Sequence, residues 1–130
     1  MHKIGKKHIS PKANLRWQVN AATPEGTLEG VTRDISTSGA YVCCPTPLRL
    51  NDVFHMSINS PEKSLNVKAE VVWSNIYGPD DEISPRGMGV RFLKISSQDR
   101  KFIAKEVSQQ SDDAIEFEKL ETITLEVGDD

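Results

Sequence analysis

From Leu65 onward every second residue is apolar: Leu65, Val67, Ala69, Val71 and Trp73 share one side, while Asn66, Lys68 and Glu70 take the other. A period of two is the mark of a strand with one face in a core and the other in water. It commits this part of the chain to a sheet, and Trp73 is expected to close one end of the core.

The same period recurs in shorter pieces. Leu15, Trp17 and Val19 share a face, and a turn signal follows at Thr23-Pro24-Glu25-Gly26. A second strand is expected from about Thr27 to Arg33 and a third from Ala40 to Cys44, stopped by Pro45-Thr46-Pro47. Leu50-Asn51-Asp52 turns into a fourth, in which Phe54, Met56 and Ile58 alternate with Val53, His55 and Ser57. Ser60-Pro61-Glu62-Lys63 is a corner before the Leu65 strand, and the polar stretch 77–85 reads as a mobile excursion. A sixth strand, Gly87 to Phe92, puts Met88, Val90 and Phe92 inward, and its glycines mark a bend or a close approach.

The period then changes. Ser96-Ser97-Gln98-Asp99 reads as a capping box opening a helix over about 97–109, with Phe102, Ile103, Glu106 and Val107 along one side. That stripe would cover an open end or side of the sheet. Residues 114–127 fit either a strand, through Ile123, Leu125 and Val127, or a helix, through Phe117, Leu120, Thr124 and Val127. Six short antiparallel strands, tight corners and one late helix predict an all-β class, a small barrel with a C-terminal α-helix. The expected organisation is a flexible basic arm over 1–12, the barrel and helix over 13–110, and an acidic tail over 111–130.

The 130 residues suffice for one core. No apolar run approaches the ~20 residues of a spanning helix, so no membrane insertion is expected. No apolar segment follows the basic N-terminus, which does not read as a secretory signal. Cys43 and Cys44 are adjacent, unsuited to an ordinary disulfide between them, and one buried and one exposed thiol are expected. His55 alternates with Phe54 and Met56, which puts it on the outer face. His2, His8 and His55 lack metal-ligand spacing, and no histidine stands near a nucleophile in a catalytic pattern. These features predict a reduced, cytoplasmic protein that is not an enzyme, with no metal and no cofactor.

The net charge of −3 conceals an asymmetry. Residues 111–130 carry eight acids and one base, whereas residues 1–16 carry Lys3, Lys6, Lys7, Lys12 and Arg16 and no acid. Such an arm attracts phosphates, and the tail repels them or folds back on the arm. From charge alone, merely solvated, disordered tails are the better reading of both ends.

Between the second and third strands stands Asp34-Ile35-Ser36-Thr37-Ser38-Gly39. As a hairpin corner it needs nothing more: Asp34 and Ser36 can bond nearby amides, and Gly39 can take positive φ. It also gathers a carboxylate, two hydroxyls and a bare backbone position at a sheet rim, where a polar ligand could be held.

This run, in its place between strands, resembles the DxSxxG motif of the PilZ domain family, receptors for the bacterial messenger cyclic di-GMP. Gly87–Phe92 resembles that family's last barrel strand and Ile95–Arg100 the opening of its helix, so the resemblance covers about 7–109. It implies a six-stranded antiparallel PilZ-type β-barrel. By it, Asp34 would accept from a guanine N–H edge, Ser36 would add a polar contact and Gly39 would admit the backbone. The family's RxxxR motif falls on the arm and is degenerate here. Its second arginine is matched by Lys12, which precedes Asp34 by 22 positions; His8 stands four earlier, with Lys7 and Lys6 upstream. Arginine grips phosphate bidentately and stacks on a purine, which lysine cannot do. The exchange costs ~1–3 kcal/mol, one or two orders of magnitude in affinity.

The expected function is a cyclic di-GMP receptor or adaptor acting on a downstream protein partner, with Asp34, Ser36, Gly39, Lys12, His8 and Lys7 as ligand residues. The alternative is a PilZ-like interaction module that has lost the nucleotide. DNA or RNA binding is not expected, because Trp17, Phe54, Trp73 and Phe92 mostly fall on the apolar side of their strands and form no stacking platform.

Overall fold

A computed structural model describes residues 11–110. Seven strands form one antiparallel sheet: β1 (Lys12–Ala13), β2 (Gln18–Thr23), β3 (Gly26–Ser36), β4 (Gly39–Cys43), β5 (Val53–Asn59), β6 (Ser64–Asn75) and β7 (Gly87–Ile95). They are followed by helix α1 over 97–110. The hydrogen-bonded order β3-β2-β5-β6-β7-β4 closes on itself because β3 also pairs with β4. This is the expected six-stranded barrel, with β1 added as a seventh piece. The arm, the tail and their alternatives before residue 11 and after residue 110 lie outside the described residues.

The alternating positions build the interior. Val19, Ile35, Val42, Ile58, Leu65, Ala69, Val71 and Met88 are wholly buried. On α1, Ile103 and Val107 are buried against the barrel and Phe102 lies 5.9 Å from Trp17, ring centre to ring centre. Burial of an aliphatic side chain of that size contributes about 1.5–3 kcal/mol, so two suffice to dock the helix. Ser96 caps it, its Oγ accepting from the Asp99 amide at 3.0 Å. The Asp99 carboxylate does not complete the box. It accepts from the Asn66 amide and meets Lys63 at 3.0 Å, fastening α1 to the β5–β6 corner.

Three expectations are corrected. Leu15–Trp17 is not strand: β1 and β2 share one edge of β3, and the chain crosses the gap between them. The buried Thr32 side chain holds that crossing, accepting from the Trp17 amide at 2.8 Å and donating to the Leu15 carbonyl. The stretch 77–85 is no free excursion. Arg86 donates to the carbonyls of Ile76 and Gly78 at 2.8 and 2.9 Å, and buried Asn75 donates to those of Pro79, Ser84 and Pro85. Finally, Trp73 does not close the core but is 50% exposed. The β6–β7 register shifts between Val71 and Trp73, so one extra residue rotates every later side chain to the other face.

Candidate functional site

Asp34, Ile35 and Ser36 are the end of strand β3, and the corner proper is only Thr37-Ser38. Ile35 is wholly buried in the core, so alternation sends its neighbours Asp34 and Ser36 to the outer face. Ser36 Oγ accepts from the Ser38 amide at 3.1 Å, a local serine turn that shapes the corner. The Ser38 carbonyl accepts from the Phe92 amide at 2.8 Å, which pins the corner to β7.

Gly39 is required for a reason other than the expected one. Gly26 is the one glycine of positive φ among the described residues, so Gly39 serves no left-handed turn. A Cβ at Gly39 would lie 2.3 Å from the Val90 carbonyl oxygen. Its bareness lets β4 and β7 meet.

The arm is brought to the motif by pairing. Lys12 is the register partner of Ser36, and Ala13 of Ile35, so β1 sets an exposed lysine beside the acidic corner. The structure therefore gathers Asp34, Ser36, Gly39 and Lys12 at one rim. His8 and Lys7 lie outside the described residues.

Beside this cluster runs a row that the alternation did not announce. Asp34 pairs with Tyr41, Tyr41 with Gly89 and Gly89 with Trp73, across β3, β4, β7 and β6. With no side chain at Gly89, Tyr41 and Trp73 approach over it to 5.7 Å between ring centres. Arg33 lies at a second bulge, where the β3–β4 register shifts between Thr32 and Asp34. Its Nε donates to Asp34 Oδ2 at 3.0 Å, and its guanidinium carbon stands 4.3 Å from the Tyr41 ring centre. The Tyr41 phenol donates to the Pro85 carbonyl at 2.6 Å. Burial raises its pKa, Cys43 adds to the rise and Arg33 opposes it, so it stays a neutral donor through physiological pH. Arg33, Tyr41, Trp73, Ile83 and Ser84 line an open hollow of about 270 Å³.

Arg33 and Tyr41 escaped the sequence reading and Trp73 was assigned to the core. One signal was available: Val72 stands where the polar face of β6 should continue after Glu70. An apolar residue out of phase is what a bulge leaves behind.

Another concavity, of about 770 Å³, lies elsewhere, between residues such as Asn20, His55, Lys68 and Lys94. It contains no residue of the motif. Among the described residues no cluster of three histidine, cysteine, aspartate or glutamate side chains could hold a metal. No helix there is long and apolar enough to cross a membrane.

Comparison with known proteins agrees with this fold. The chain is similar in structure to the inhibitor of motility MotI/DgrA of Bacillus subtilis, with TM-score 0.66 and 14% identity over 81% of this chain and 51% of that one. It is also similar to the PilZ domain, with c-di-GMP, of YcgR from Escherichia coli, at TM-score 0.59 and 15% identity over 85% and 93% of the two chains. YcgR in complex with c-di-GMP gives TM-score 0.63 and 14% identity over 86% and 48%. The chain thus spans about half the length of MotI and of the longer YcgR chain. No curated protein matches the sequence. The PilZ domain model matches residues 10–109, from the arm through the barrel and nearly all of α1. This chain belongs to the PilZ domain family.

Proposed function

We propose that this chain is a non-enzymatic receptor for cyclic di-GMP, acting in the cytoplasm and passing the messenger's level to a protein partner. The observation that carries the reading is the β1–β3 pairing, which sets Lys12 beside Ser36 in an intact DxSxxG corner. A basic group then stands next to a carboxylate, as a ligand with phosphates and guanine N–H edges requires. Asp34 Oδ2 is held by Arg33, which orients the carboxylate and leaves Oδ1 to accept from a guanine. Lys12, with His8 and Lys7 from the arm, attracts the phosphates, and ordering of the arm over the barrel wall presents a new surface to the partner.

Calorimetric titration of cyclic di-GMP tests this. Saturable heat is expected from the wild type. Asp34→Ala loses a charge-assisted hydrogen bond of about 1.5–3 kcal/mol, a roughly 10- to 100-fold weakening. His8→Arg with Lys12→Arg should tighten binding. Absence of both heat and amide shifts at millimolar nucleotide would sink the reading. The alternative, an interaction module without nucleotide, is favoured by one observation: Asp34 already has a protein partner in Arg33.

A further inference from the structure

We infer that Arg33 supplies the guanidinium that cyclic di-GMP requires here, gripping a phosphate from the barrel wall in place of the arginines missing from the arm. The inference rests on the receptor reading above and assigns its phosphate contact to a residue outside DxSxxG and RxxxR.

Arg33 is the odd residue of its bulge. Thr32 pairs with Val42 and Asp34 with Tyr41, so Arg33 has no cross-strand partner. It is held all the same. Nε donates to Asp34 Oδ2, and the guanidinium lies against the Tyr41 ring. Those contacts use one donor nitrogen and one face of a planar group. Among the described residues, Nη1 and Nη2 donate to no protein acceptor, and the side chain remains 34% exposed at the rim of the Tyr41–Trp73 hollow.

Three other arginines of the barrel and helix are otherwise engaged. Arg91, register partner of Gly39, is 2.7 Å from Glu70, and Arg86 donates to the carbonyls of Ile76 and Gly78. Arg100 reaches the Thr37 carbonyl at 3.5 Å. Arg33 alone of these combines contact with the motif carboxylate and two free terminal nitrogens.

Two amino groups in a fixed fork match the two oxygens of a phosphodiester, a geometry lysine cannot reproduce. Because Asp34 and Tyr41 already restrict the side chain, little rotamer freedom is left to lose on binding. The pair with Asp34 persists in the complex. One residue orients the guanine-binding carboxylate through Nε and holds the phosphate through Nη1 and Nη2.

The test is titration of the full chain with cyclic di-GMP in wild type, Arg33→Lys and Arg33→Gln, with thermal midpoints confirming that each folds. Arg33→Lys keeps the charge and loses the fork, so a roughly 10- to 100-fold weakening is expected. Arg33→Gln should bind no better and depend less on salt. An arginine-selective ¹H–¹⁵N spectrum separates gripping from mere positioning of Asp34: the Arg33 Nη protons should become hindered and visible at saturation. Wild-type affinity in Arg33→Lys, or Nη signals unmoved at saturation, overturns the inference and leaves the receptor reading intact. No binding by the wild type overturns both.

Discussion

The barrel has a regular wall and a broken one. Through β5 and the first half of β6, pairing runs without interruption from Val53↔Glu70 to Asn59↔Ser64, and every second side chain is buried. Where β3, β4, β7 and β6 meet, the register shifts at Arg33, at Val72 and, opposite Lys68–Ala69, at Leu93. The regular wall yields core and little else. The broken wall aims Arg33 beside Asp34 and leaves Trp73 half exposed against Tyr41. A uniform ladder can only alternate inward and outward, so grouping unlike side chains on one face requires an extra residue.

The two tryptophans give the sharpest test of that contrast. Trp17 is 5% exposed and packs on Phe102, so Trp17→Ala should cost about 3–5 kcal/mol. Trp73→Ala, on the broken wall, should cost about 1 kcal/mol or less. Urea denaturation of both variants measures the difference, and equal losses would mean that Trp73 belongs to the core after all.

Two glycines come next. Gly39→Ala drives a methyl into the Val90 carbonyl, backbone that cannot swing aside, and should cost about 1–3 kcal/mol. At Gly89 the nearest atoms to an added Cβ are Trp73 Cβ at 3.6 Å and Tyr41 Cδ2 at 3.9 Å, ordinary contacts. Gly89→Ala should therefore stay within about 0.5 kcal/mol in thermal melts.

The smallest effect concerns the adjacent thiols. Cys44 faces the core, and burial pushes its pKa from the usual 9.0 to about 11, with Cys43 adding to the rise. Cys43, half-buried on the outer side, is raised by burial but held back by Arg33 and Arg16. A raised folded pKa means that the folded state keeps its proton longer, so the stability it brings is complete below pH 9 and fades toward pH 11. Unfolding free energy should fall across that window, less so in Cys44→Ala. At neutral pH a thiol reagent should modify Cys43 before Cys44.

Much of this was legible in the residues. The two-residue period placed six strands within a few positions, the i, i+4 pair Ile103 and Val107 placed α1, and Ser96 marked its start. Asp34, Ser36 and Gly39 could be named because their spacing is local. Lys12 was placed opposite them only by β1, a two-residue strand too short to leave a period. Arg33 and Trp73 were misjudged because a bulge is decided by how two strands register, and registers are set by partners distant in sequence.

The sequence by itself determined the class of fold, the composition of the core and the chemistry of the acidic corner, since alternation and short motifs are properties of neighbours along the chain. Tertiary structure alone decided that Gly39 yields to Val90, that Tyr41 and Trp73 meet across Gly89, and that Arg33 turns to Asp34. Those contacts join four strands whose mutual heights follow from barrel closure and three register shifts. No single segment carries that information, because each is a balance of pairing energies between segments up to tens of residues apart.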